Sequence, residues 1–209
     1  MIKKILTFII FLGTLSCFAK YEMILFSYDH KIIPGWSPHT FALFVELDDL
    51  TKKVIQSTHL SWLPATSPND VEVFAKSVKG KNYSLKETLE FALKNEKKLY
   101  YKGSYIIMKE LFTKAQNQER KLQSGEVEYK VLWTNREGKE RTYHCVYAIS
   151  DLLTGRGLMS NGMSHTLDSM ENIQRHFKEY VISREEVSEE IKAHFNLGTY
   201  LKKMEMVND

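Results

Sequence analysis

The sequence predicts an α+β domain in which a small antiparallel β-sheet packs with helices. Runs rich in β-branched and aromatic residues at 22–28, 39–47 and 54–60 are separated by turn and polar residues, as in paired strands. Two Ser-x-x-Glu capping boxes, Ser84 with Glu87 and Ser183 with Glu186, stand at the starts of predicted helices. No internal repeat or low-complexity linker divides the chain, so strands and helices share one core.

The first segment is set apart. Lys3 and Lys4 are followed by an uncharged apolar run from Ile5 to Leu15. That run is short for a bilayer span and suits the apolar region of a signal peptide. Cys17-Phe18-Ala19 places small residues where a signal peptidase reads, which predicts a signal peptide over 1–19 and a single domain over 20–209. Leu15-Ser16-Cys17 also resembles a lipobox, and lipidation of Cys17 would anchor the chain to a membrane. Retention of the segment as an anchor is a third reading. The expected location is the periplasm or cell envelope, or outside the cell.

About 190 residues then remain, ample for one buried core. Glu22 to Tyr28 reads as a strand, Pro34 to Pro38 as a rigid turn, and His39 to Leu47 and Val54 to Leu60 as a hairpin joined by the polar loop 48–53. Ser61-Trp62-Leu63-Pro64 closes it, and 64–83 reads as a loop. Ser84 starts a helix running to about Lys97, and Gly103-Ser104-Tyr105 leads to another from Ile106 to Leu122. Val127 to Trp133 is a strand, 135–138 a turn and Glu140 to Tyr143 a short return strand. Val146, Ile149, Leu152 and Leu153 give 145–153 helical spacing. Gly155, Gly157 and Gly162 mark a loop, and helices follow over 166–180 and 184–195.

Composition narrows the function. The 29 basic and 26 acidic residues nearly balance once Lys3 and Lys4 are set aside, and no basic patch with interleaved aromatics points to nucleic acid. No paired-histidine spacing suggests zinc, and Gly155-Arg156-Gly157 lacks the spacing and lysine of a phosphate loop, so no cofactor is expected. Asp48-Asp49 reads as a strand end rather than a cation site.

Cys17 and Cys145 are the two cysteines, so a chain cut after Ala19 keeps one thiol and can form no internal disulfide. Cys145 stands where strand signals stop and a helix begins, a position that favours thiolate. A thiol nucleophile needs a base, usually histidine. His144 is adjacent and points away; His30, His165, His176 and His194 are weaker candidates. His39 starts a strand directly after the proline-rich turn and is the expected base. His59 is the expected orienting group: if Lys53 pairs with Leu47, His59 faces Phe41 and lies diagonally beside His39, with Ser61 as the fallback.

His-Thr-Phe-Ala-Leu-Phe-Val at 39–45, the second strand, and Tyr-His-Cys-Val-Tyr-Ala at 143–148 resemble the circularly permuted papain-like superfamily. That group includes permuted cell-wall amidases and endopeptidases and the lecithin:retinol acyltransferase-like enzymes. The resemblance implies Cys145 as nucleophile, His39 as base and His59 as orienting residue, with a cell-wall peptide or an envelope lipid as substrate. The function classes in view are therefore a thiol hydrolase or acyltransferase, a non-catalytic envelope binding protein on the same scaffold, and a lipoprotein serving as a structural partner.

Overall fold

The computed structural model describes residues 19–29, 39–67, 76–130, 142–153, 157–158 and 166–207. The leader with Cys17, the 34–38 turn, the 135–138 turn, most of the glycine loop, and His30 and His165 lie outside these described residues.

The fold is α+β. Its centre is strand β1 (Ala19–Tyr28), flanked antiparallel by β2 (His39–Asp48) and by β6 (Leu99–Ile107). Strand β3 (Val54–Leu60) extends the sheet beyond β2. On the far side, β10 (Met204–Met206) lies parallel to Leu99–Tyr101, while β9 (Val181–Glu185) lies antiparallel to 104–107 of the same strand. A smaller sheet joins β4 (Trp62–Pro64), β5 (Val78–Asn82), β7 (Glu128–Tyr129) and β8 (Thr142–Tyr143).

Helices cover both faces of the large sheet, which explains why 23–28 and 41–45 read as nearly unbroken apolar runs. Met23, Leu25, Ala42 and Phe44 pack on α2 (Lys109–Gln123), α3 (Cys145–Ser150) and α4 (Thr166–His176). Ile24, Phe26, Tyr28, Phe41 and Leu43 pack instead on α1 (Leu85–Lys94), α5 (Glu189–His194) and α6 (Leu197–Leu201).

Several elements depart from expectation. The helix expected from Ile106 starts at Lys109, and the residues before it form β6, a strand the sequence reading missed. Gly103 at φ 63° makes the bulge there, where the register to β1 shifts between Ile24 and Phe26. The helix expected from Arg184 is displaced: Val181–Glu185 is strand β9, and Ser188, not Ser183, caps α5 through the Ile191 N–H. Part of the 64–83 loop is strand β5. The 142–143 strand runs parallel to β7 and is not a hairpin return. The box at Ser84 is present, with Ser84 and Glu87 bonded reciprocally at 3.1 and 2.8 Å.

Candidate active site

The local sequence delivers Cys145 to a helix start. Strand β8 ends at Tyr143, His144 stays extended as N-cap, and α3 begins at Cys145. The His144 ring replaces the usual Ser or Asp cap, its Nδ1 accepting the Tyr147 N–H at 3.2 Å. Tyr143 and Asp151, on either side of α3, are joined by a hydrogen bond from the Tyr143 hydroxyl, and Lys121 of α2 donates to both, reaching Asp151 at 3.2 Å. Gln118 Nε2 donates to the Ala148 carbonyl at 2.8 Å, and His176 Nε2 lies 3.1 Å from the Ser150 carbonyl. The helix is short but held at both ends and buried along its length.

The main-chain N–H groups of Thr40, Val146 and Cys145 itself act on the Cys145 sulfur and draw its pKa down. Such a nest favours the thiolate. Burial acts the other way and wins, so the thiol is pushed above its ordinary value. The Thr40 N–H belongs to the peptide that links it to His39. Pairing of β2 with β3 ends at Ala42 opposite Leu60, so the start of β2 lies beyond the ladder, and there the sulfur meets it.

His39 sits between Tyr28, with ring centroids 5.1 Å apart, and Phe41, stacked at 5.5 Å. Its Nε2 is 2.9 Å from Ser61 Oγ, and Ser61 Oγ is 2.7 Å from Thr88 Oγ1. Thr88 Oγ1 donates to the Ser84 carbonyl at 2.9 Å, which uses its only proton. Thr88 must therefore accept from Ser61. Ser61, its own proton spent, must accept from His39 Nε2–H. With the Thr88 proton on the Ser84 carbonyl, the relay puts the proton on Nε2 and a lone pair on Nδ1. Nδ1 is buried and has no hydrogen-bond partner. Burial holds the ring neutral, its pKa pushed down to about 3. Ser61 is itself pinned, its N–H donating to Asn82 Oδ1 at 2.7 Å while Asn82 Nδ2 donates to the His59 carbonyl at 2.9 Å.

The Thr40 main chain, next to His39, reaches the Cys145 sulfur; no hydrogen bond joins the His39 ring to that sulfur, and His59 stands farther along the sheet. Leu47 pairs with Val54 rather than Lys53, and a further register shift follows before Gln56, so His59 stands opposite Leu43. That is four residues from His39, roughly 13 Å along the strand. The His59 ring instead lies 3.6 Å from the Glu119 carboxylate. Ser61, not His59, is the side chain that hydrogen-bonds His39. Thr88 and Asn82 were missed by sequence reasoning; the one available signal for Thr88 was its place four residues after the Ser84 cap. Asp48 Oδ1 accepts the Leu50 and Thr51 N–H groups and closes the β2–β3 turn. No cluster of potential metal ligands occurs among the described residues. Compared with known proteins, the chain matches no family model, no curated protein and no solved structure.

Proposed function

We propose that this chain is an exported thiol hydrolase or acyltransferase of permuted papain-like type, which opens an amide or ester bond through Cys145 and His39. One observation supports this above the others: the Ser61–Thr88 relay leaves an unpaired acceptor, His39 Nδ1, on the residue next to Thr40, whose main-chain N–H favours the Cys145 thiolate. In this reading Nδ1 takes the thiol proton as sulfur attacks the carbonyl carbon. The N–H groups of Cys145 and Val146 then face the oxyanion, and His39 returns the proton to the leaving group. A cell-wall peptide or an envelope lipid is the substrate class, on the strength of the leader and the family resemblance.

Burial of both groups favours a second reading, a non-catalytic binding protein with an inert thiol. The pH dependence of Cys145 alkylation by iodoacetamide separates the two. In protein beginning at residue 20, the enzyme reading expects reaction at pH 7 that slows about 100-fold in His39→Ala, the scale of general-base assistance. A thiol that reacts only as it ionises above about 8.5, indifferent to His39, supports the binding protein instead.

A further inference from the structure

We propose that His144 is a catalytic residue, its Nε2–H donating a hydrogen bond to the oxyanion formed when Cys145 attacks a carbonyl. The inference rests on the reading of Cys145 as a nucleophile and adds a role that the family resemblance does not supply.

The ring's bonding fixes its proton. Nδ1 accepts the Tyr147 N–H at 3.2 Å, so Nδ1 holds a lone pair, and a neutral ring must carry its hydrogen on Nε2. Burial keeps the ring neutral, with its pKa lowered to about 4. Nε2 is buried and has no hydrogen-bond partner. A buried N–H without an acceptor is rare and costly, and functional sites are where such groups persist. This one belongs to the residue before the nucleophile, on a ring locked over the first turn of α3 by its own cap. The two histidines are complementary. His39 offers an unpaired acceptor for the thiol proton, and His144 offers an unpaired donor for the charge that builds on oxygen.

Two reagents separate these roles. Iodoacetamide alkylates sulfur by displacing iodide and forms no oxyanion. With p-nitrophenyl acetate, sulfur bonds to the carbonyl carbon and the carbonyl electron pair moves to oxygen. Collapse then breaks the bond to nitrophenolate, which leaves with its electron pair while the thiol proton rests on His39. Both reagents need the same access to Cys145, so the ratio of acylation to alkylation isolates oxyanion stabilisation.

His144→Ser keeps a capping oxygen for the Tyr147 N–H but has nothing that extends as far as Nε2; His144→Asn is a second variant that keeps the cap. The expected result is alkylation within twofold of wild type and acylation slowed about 100-fold, the scale of one lost oxyanion donor. Equal loss with both reagents, or with neither, overturns the inference while leaving the Cys145–His39 reading standing. If wild-type Cys145 reacts with neither reagent faster than a thiol without His39, the enzyme reading itself fails and takes this one with it. In wild-type protein, ¹⁵N spectra of the histidine rings give an independent check. They should show His144 protonated on Nε2, and a ring protonated on Nδ1 would also overturn the inference.

Discussion

At the scale of single residues, the site is a lesson in how few protons a hydroxyl has. Thr88 donates once, to Ser84, and that single commitment propagates through Ser61 to decide which nitrogen of His39 is free. Thr88→Val removes the acceptor that holds the Ser61 proton. Ser61 is then free to donate to Nε2, and His39 should shift toward the Nδ1-protonated tautomer, which cannot act as base from that nitrogen. Ring ¹⁵N shifts of His39 would report the change, together with alkylation slowed roughly tenfold or more by loss of the base. Unchanged shifts would mean that the relay does not set the tautomer. That Cys145 opens a helix and His39 a strand was legible in the sequence because each stands at a change of pattern, strand to helix or turn to strand. Ser61 was legible only as a fallback. Its role depends on a hairpin register that a two-residue difference moves by a full repeat along the strand.

At the scale of elements, the short strand pair β4–β5 places Ser61, and its fit turns on Gly80. A Cβ there would lie 1.9 Å from the Trp62 ring, and Trp62 is 1 % exposed. Gly80→Ala must displace the indole or part β5 from β4, at about 1–3 kcal/mol. Gly198, in α6 with open space around it, is the control: Gly198→Ala should stabilise by up to about 1 kcal/mol. Urea denaturation of both variants checks this, and a neutral Gly80→Ala would show that Trp62 has room to move. Elements were legible where local signals agreed with tertiary placement. The box at Ser84 capped a real helix because Thr88, Leu89 and Ala92 bury one face of it. The box at Ser183 did not, because Ser183 pairs with Ile106 in the sheet and Ser188 was available as cap. Strand β6 was missed for a related reason: Gly103-Ser104-Tyr105 reads as the approach to a helix, and in the fold Gly103 sits at a bulge within the strand.

At the scale of the molecule, two buried neutral histidines couple stability to pH. The folded rings of His39 and His144 protonate near 3 and 4, whereas in the unfolded chain both do so near 6.5. The unfolded state therefore binds more protons as pH falls below that value, and stability is lost with it. Each ring contributes a slope of up to about 1.4 kcal/mol per pH unit. The urea midpoint should fall between pH 6.5 and 5, before most carboxylates titrate, and His39→Gln or His144→Asn should flatten the fall. A flat wild-type profile would mean that the rings accept protons inside the fold.

The sheet has one further consequence. Cys145 belongs to the core on one face, while His39 stacks on Phe41 and Tyr28 of the core on the other. Neither core by itself holds both Cys145 and the rings that pack on His39. On the proposed reading, the site is complete only when both helical layers are docked on the sheet, since α3 carries Cys145 and Thr88 of α1 holds the Ser61 that bonds His39.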